Sequence, residues 1–312
     1  MAFDSREVRL DTHVPTGRPV TLNLFQLTRS PISGPVVVRN RWMAVTAAMR
    51  TLMSGSAAPM PAYQVGEVMY GPAVGEVVAS TDPDLAPGDW VRHGRGWREY
   101  AVVDAYQRIE PVSSAEEAMR HLGQGLTTYV GLRAAAEVQP GDTVLVTGAA
   151  GAVGSIASPI ARLLGAVRVV GSTGSPDRAA HLGYDAVYDR HTGSMADVAP
   201  DGVDAVLDTV GGHQLREAVQ LARPGARIAL CGALAHQLGG DPAAVELDVM
   251  TLIGKRITLR GFTAADHPHL REEWRKLGLR EPCTVVEGLD SAPQALIDLL
   301  AGRYVGGLIV RV

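Results

Sequence analysis

The 312-residue sequence has only two cysteines, Cys231 and Cys283, and no Cys-x-x-Cys spacing. Neither a disulfide framework nor a thiolate zinc site is therefore expected, and a reducing, cytoplasmic setting is. Lysine is equally scarce, with Lys255 and Lys276 the only two. The 29 Lys plus Arg are outnumbered by 33 Asp plus Glu, which leaves a net charge of −4. A chain so charged has no cationic field with which to grip a phosphate backbone, so nucleic acid is not an expected partner. Runs of about 18 uncharged apolar residues are absent, as is an apolar signal core in the opening Met1-Ala2-Phe3-Asp4-Ser5-Arg6-Glu7, so no membrane association is expected. What is present is ordinary for a folded protein: hydrophobic residues at 46% and charged residues at 20%. Those values argue against wholesale disorder and coiled-coil architecture, and the length suggests two domains at ~150 residues each.

Up to about residue 113, short apolar runs are broken by Gly and Pro, as in Val36-Val37-Val38, Gly75-Glu76-Val77-Val78 and Glu99-Tyr100-Ala101-Val102-Val103. This spacing predicts short strands with tight turns, hence a β-rich domain over residues 1–118. Beyond it the pattern changes. Thr143-Val144-Leu145-Val146-Thr147 reads as a buried strand, a Gly-rich turn follows, and Val153, Ile156, Ile160 and Leu163 recur at helical spacing. Further strand runs lie at Val167–Val170, Val203–Leu207, Ala226–Leu230 and Arg256–Leu259, with helical segments between them. Repeated βα units predict an α/β domain over residues 119–280, a doubly wound parallel sheet of the Rossmann type. Residues 281–312 are expected to return to the first domain. Pro159 falls inside the first helix, where a kink or early break is predicted.

The turn after the first strand of this series reads Gly148-Ala149-Ala150-Gly151-Ala152-Val153-Gly154, close to G-x-G-x-x-G with Ala149 at the first glycine. Between strand and helix, Gly151 lets the backbone approach a pyrophosphate and Gly154 allows close packing of helix on strand. The helix N-terminus adds oriented amides and partial positive charge. A plainer alternative is a tight turn with no ligand. An NAD-binding chain would place a carboxylate roughly 20 residues on, against the ribose 2′-hydroxyl. Here that stretch is Gly171-Ser172-Thr173-Gly174-Ser175, with no acid before Asp177. Ser172 and Thr173 can donate to a 2′-phosphate, and Arg178 and Arg190 can clasp it with guanidinium forks, so NADPH is the expected cofactor. Solvated surface arginines are the alternative for those two.

Gly125–Leu132, Gly141–Val146, Ala149–Ser155, Asp208-Thr209-Val210-Gly211-Gly212, Cys231-Gly232-Ala233 and Arg260-Gly261-Phe262 follow one another in order. Together with Met49-Arg50, Gly66–Met69 and Gly96-Trp97, they resemble the zinc-independent medium-chain dehydrogenase/reductases. The resemblance is closest to the prostaglandin reductase and alkenal double-bond reductase branch. A short-chain dehydrogenase is excluded, because neither lysine has a Tyr four residues before it. A zinc alcohol dehydrogenase lacks support too: its Gly-His-Glu segment aligns with Gly71-Pro72-Ala73 and its cysteines are missing, so no metal is expected.

The resemblance implies a GroES-like β-rich substrate domain beside the Rossmann domain. It implies NADPH-dependent reduction of an activated carbon–carbon double bond, with hydride to the β-carbon and an enolate stabilised by a hydrogen-bond donor. It assigns Thr127, Thr209, Val210, Cys231, Gly232, Ala233, Phe262 and Thr263 to the cofactor, beside the turn residues Ala150, Gly151, Ala152, Val153 and Gly154. It also implies a homodimer. The substrate half departs from the family pattern. Leu234-Ala235-His236-Gln237 stands where a tyrosine would follow the Cys-Gly-Ala turn, Thr46-Ala47-Ala48 replaces Asp-Pro-Tyr, and Tyr304 replaces an Asn. The catalytic donor therefore stays open among Tyr63, Tyr129, His236 and Gln237. Losing pocket aromatics predicts a wider cleft and a bulky enone, with enals and quinones as other substrates. The competing readings are a quinone oxidoreductase and an NADPH-binding protein without turnover.

Overall fold

The computed structural model describes residues 2–56, 60–239 and 245–312. The chain divides into two compact units, one of Met1–Gly123, Cys283–Arg303 and Gly307–Val312, the other of Gln124–Pro282 and Tyr304–Gly306.

The first unit opens with β1 (Phe3–Leu10), β2 (Phe25–Ile32), β3 (Val36–Val45), β4 (Ala73–Ser80), β5 (Trp90–His93), β6 (Tyr100–Val102) and β7 (Tyr106–Ile109). Strands β1 and β2 pair antiparallel by themselves. All of these strands except β3 are followed within two residues by a Gly, Pro or Asp, the residues that terminate ladders and enter turns cheaply. Strand β3 is the spine, pairing with both β4 and β6. Its Val36 and Val38 join Val77, Val91, Ala101 and Val103 in one apolar cluster, and its Trp42 and Ala44 join Val74, Met119, Leu122 and Ile309 in another. The helix Ala115–Leu122 contributes Ala118, Met119 and Leu122 to the latter cluster. The boundary therefore falls after Gly123 rather than at residue 118.

The second unit is built on β8 (Thr143–Val146), β9 (Arg168–Thr173), β10 (Ala186–Asp189), β11 (Val203–Asp208), β12 (Ala222–Leu230) and β13 (Thr258–Gly261). They form a six-stranded, wholly parallel sheet in the order β10-β9-β8-β11-β12-β13. The order reverses between β8 and β11, and a doubly wound sheet opens its ligand crevice at the strand ends beside such a switch point. Along β8, Val144 and Val146 enter the apolar cluster on one face and Leu145 the cluster on the other. Burial on both faces is why these strands read as unbroken apolar runs. The chain returns to the first unit with β14 (Cys283–Glu287), the helix Ala292–Leu300 and β15 (Gly307–Arg311), which runs antiparallel to β3. A seven-stranded sheet, β14-β15-β3-β4-β5-β7 with β6 against β3, is thereby completed.

The predicted break in the first βα helix lies before Pro159, not at it. A 3₁₀ turn over Gly154–Ile156 gives way to an α-helix at Ala157–Leu163, of which Pro159 is the third residue. The first turn of a helix has no internal acceptor for its N–H groups, so a proline there removes no bond. Among the described residues, no helix is long and apolar enough to cross a membrane.

Candidate functional site

The turn leaving β8 is held from beneath by side chains of its own unit. Ser172 Oγ accepts the Gly148 N–H at 3.3 Å and donates to Gln214 Oε1, while Ala149 N–H donates to Ser172 O at 2.7 Å. Thr128 Oγ1 donates to Val153 O at 2.9 Å, Tyr184 Oη donates to Gly154 O at 2.6 Å, and Gly306 N–H donates to Ala150 O at 2.9 Å. The two key glycines then differ in kind. A Cβ on Gly154 would lie 2.7 Å from Ala149 Cα, in addition to overlapping Gly148 O, so internal packing alone demands glycine there. A Cβ on exposed Gly151 would meet nothing within 4 Å except Gly148 O at 3.3 Å. Its glycine has no packing cause inside the protein, and its outer face is open. That is the geometry a diphosphate needs to reach backbone amides, so the turn fits the phosphate end of a dinucleotide.

At the neighbouring strand ends, β9 and β10 pair Thr173 with Asp189, and Arg190 N–H donates to Thr173 O at 2.9 Å. The guanidinium of Arg190 and the ring of His191 both border Gly174, lying 3.3 Å and 3.0 Å from where its Cβ would stand. Asp189 is turned to accept the His191 N–H at 2.9 Å. Arg178 projects exposed from the short helix Pro176–Ala179. Ser172 differs from its expected role. It is wholly buried, with its hydroxyl committed to Gly148 and Gln214, so it supports the turn instead of reaching a ligand. Thr173 is also buried and accepts the Ser175 N–H at 3.3 Å.

The ends of β8, β11 and β12 are tied through Asp208, whose buried carboxylate accepts Thr147 Oγ1–H at 2.6 Å and the Gly211 N–H at 3.0 Å. Burial raises its pKa, against the pull of those hydrogen bonds. Its carbonyl accepts the N–H groups of Cys231 at 2.7 Å and Gly232 at 3.2 Å. Thr209 Oγ1 donates to Thr147 O at 2.7 Å, and a Cβ on Gly232 would strike Thr209 O at 2.7 Å. This web brings Thr209, Val210, Cys231, Gly232 and Ala233 together at one end of the sheet. Burial and Asp208 push the Cys231 thiol up to about 12, which leaves it protonated and unreactive. Phe262, just past β13, sits against Gly131, where a Cβ would lie 2.7 Å from Cζ. Thr263 is exposed and caps the following turn, and Thr127 is half-buried on the helix Gly125–Val130. The same helix begins at a Gly125 N–H that donates to Glu281 at 2.8 Å, and burial raises the Glu281 carboxyl to about 7.

The four candidate donors do not share one environment. Tyr63 is 2% exposed and its Oη donates to Tyr70 O at 2.8 Å. Tyr129 donates to Glu273 at 3.0 Å. Both hydroxyl protons are thus already engaged inside their own units. His236 and Gln237 sit half-buried on the helix Leu234–Leu238, immediately after the Cys231-Gly232-Ala233 turn.

In the first unit a cavity of about 430 Å³ opens between β5, β7, the Tyr70-Gly71-Pro72 segment that leads into β4, and the helix Ala48–Leu52. Met49, Leu52, Tyr63, Tyr70, Pro72 and His93 line it, and Thr46, from the replaced Asp-Pro-Tyr segment, borders it. The size is that of a small-molecule site. The connection after β5 is rigid. Asn40 Nδ2 donates to the carbonyls of Arg95 at 3.0 Å and Arg98 at 2.8 Å, and buried Trp97 holds a left-handed φ of 61°. No motif in the sequence marks His93, Gln214, Tyr184 or Glu281.

Residues 6–112 match the family described as N-terminal domain of oxidoreductase, and residues 152–280 the family described as zinc-binding dehydrogenase. Among the described residues, no group of three His, Cys, Asp or Glu side chains could hold a metal ion. The NADPH-dependent curcumin reductase of Escherichia coli (strain K12) is 32% identical over 96% of this chain and 94% of its own length. The NADP(+)-dependent 2-alkenal reductase of Nicotiana tabacum is 29% identical, covering 90% of this chain and 88% of its own. The crystal structure of CurA from Vibrio vulnificus in complex with NADPH has a TM-score of 0.87 at 29% identity, covering 98% of this chain and 99% of that one.

Proposed function

Because the chain belongs to the zinc-independent medium-chain dehydrogenase/reductase family, we propose that it is an NADPH-dependent enone reductase, saturating the carbon–carbon double bond of an α,β-unsaturated carbonyl compound. Bound NADPH supplies the hydride that the β-carbon receives. The chain's own residues do the rest. The open face of Gly151, with Ala150, Ala152 and Val153, seats the diphosphate, and Arg190 with Arg178 clasps the 2′-phosphate. Thr127, Thr209, Val210, Ala233, Phe262 and Thr263 flank the remainder of the dinucleotide. As negative charge develops on the substrate carbonyl, a hydrogen-bond donor must meet it. This reading favours His236, half-buried on the helix that follows the Cys231-Gly232-Ala233 turn, with Gln237 beside it, while the Tyr63 and Tyr129 hydroxyls donate to Tyr70 O and Glu273.

The open Gly151 face carries the proposal, since it is the one feature of the turn that internal packing leaves unexplained. The cavity of about 430 Å³ supports a bulky aryl or polycyclic enone over a three-carbon enal. NADPH oxidation across a panel of enones, enals and quinones tests the assignment. Turnover of the large enones is expected. One-electron semiquinone products would favour a quinone oxidoreductase, and tight NADPH binding without any turnover would leave a silent binding protein.

A homodimer formed by sheet extension is part of the same reading. Strand β13 lies at the sheet edge, and the helix Val249–Lys255 exposes Val249, Met250 and Ile253 at 61%, 71% and 62%. Sedimentation should give twice the chain mass, and Ile253→Glu should shift it toward the monomer. A cytoplasmic location accords with Cys231 and Cys283 forming no disulfide.

A further inference from the structure

Among the polar side chains that line the cavity of the first unit is a buried histidine whose chemistry the proposed function does not use. His93 ends β5 at 3% exposure, fixed in register between Ala73 on β4 and Tyr106 on β7. Its Nδ1 accepts the Arg95 N–H at 3.0 Å. A ring nitrogen that accepts carries no proton, so the single hydrogen of the neutral imidazole is on Nε2. That Nε2 is buried and meets no hydrogen-bond partner among the described residues. A buried donor left unpaired is costly, and native proteins keep few of them. Burial, together with Arg98, Arg92 and Arg95, pushes the His93 pKa down to about 3, so the ring stays a neutral donor throughout the physiological range. The Asn40 bonds to Arg95 and Arg98, and the Gly71 N–H bond to Gly94 O at 3.0 Å, hold the strand end rigid around it.

We propose that His93 determines substrate specificity: its Nε2–H donates to an acceptor oxygen on the part of the enone that occupies this cavity. The site then selects enones whose aryl or alicyclic portion bears a hydroxyl, alkoxy or carbonyl oxygen over their hydrocarbon analogues. This rests on the enone-reductase reading above.

The test compares benzylideneacetone with its ring-hydroxylated and ring-methoxylated analogues in the wild type, in His93→Asn and in His93→Gln. Asn can still offer an oxygen to the Arg95 N–H but has no group at the Nε2 position, whereas Gln carries an N–H there. In His93→Asn, the preference for the best oxygenated analogue, as a ratio of kcat/KM values, should fall about fivefold to tenfold through KM, the worth of one hydrogen bond. The kcat for benzylideneacetone itself should stay within about twofold, and His93→Gln should restore part of the preference. Substituent effects on the enone's reactivity cancel, because each ratio is compared between enzymes. An unchanged ratio in a folded His93→Asn variant, as when water alone satisfies Nε2, overturns the assignment. Should that variant not fold, an unchanged NMR resonance of the wild-type His93 Nε2–H on adding the oxygenated enone overturns it instead. If the wild type reduces none of these enones with NADPH bound, the functional reading fails and takes this one with it. Reduction of all with unaltered ratios sinks His93 alone.

Discussion

Substituting the two glycines of the phosphate turn separates ligand binding from packing. At Gly151 the backbone is not left-handed, and an added methyl meets only Gly148 O at 3.3 Å. The apo protein should therefore tolerate Gly151→Ala, and the loss of unfolded-state freedom should offset the tight contact with a gain of ~0.4–1 kcal/mol. With NADPH the same methyl stands where the diphosphate approaches the backbone. Overpacking of that kind costs ~1–3 kcal/mol, which corresponds to roughly fivefold to 150-fold weaker binding. Gly154→Ala should behave in the opposite way. Its methyl would lie 2.7 Å and 2.9 Å from the Cα and carbonyl carbon of Ala149, backbone atoms that cannot swing aside. The fold then loses ~1–3 kcal/mol or more, and Tm falls by roughly 2–4 °C for each of those kcal/mol. Thermal unfolding of the apo proteins and NADPH titration by fluorescence read the two effects separately. A Gly151→Ala protein that binds NADPH within about twofold of the wild type would refute the seating of the diphosphate on that face.

Removing a charge-assisted bond to the 2′-phosphate, Arg190→Ala or Arg178→Ala should each weaken NADPH by ~1.5–3 kcal/mol and leave NADH nearly untouched; equal losses for both cofactors would refute the clasp. Tyr63→Phe deletes a buried hydroxyl bonded to Tyr70 O, so unfolding free energy should drop by ~1 kcal/mol while kcat stays within about twofold; a hundredfold fall in kcat would instead make that hydroxyl the catalytic donor. Glu281 titrates near 7 when folded, against an ordinary 4.5. Its contribution to stability is fully present below 4.5 and is lost as pH rises through 7. Relative to Glu281→Gln, the wild type should therefore lose about 2 to 3 kcal/mol between those limits, measured by urea unfolding at stepped pH. Parallel pH curves for the two proteins would show that the carboxyl is not perturbed.

The local grammar of the second unit was legible in the sequence because its signals are local. Strand β8, the Gly148–Gly154 turn and the following helix are consecutive, and each needs only its own residue pattern to form. The same holds for Gly154, whose reason for being glycine is the carbonyl six residues before it. Long-range registration decided the rest. Ser172 reads as a donor at a strand end, yet Gln214, 42 positions away, and Gly148, 24 positions away, enclose its hydroxyl. Tyr63 reads as a candidate catalytic donor, yet its hydroxyl is satisfied by a backbone carbonyl of its own cavity wall.

The sequence by itself determined the order of βα units, the phosphate turn with no acid after the second strand, and the absence of thiolates for a metal, all set by residues close together along the chain. Only the tertiary structure decided which polar groups have partners. Hydrogen-bond satisfaction depends on which strands lie side by side, and Ala73, His93 and Tyr106 become neighbours only when β4, β5 and β7 pair. An imidazole with one nitrogen engaged and the other without a partner is therefore a property of the folded sheet, and no local pattern encodes it.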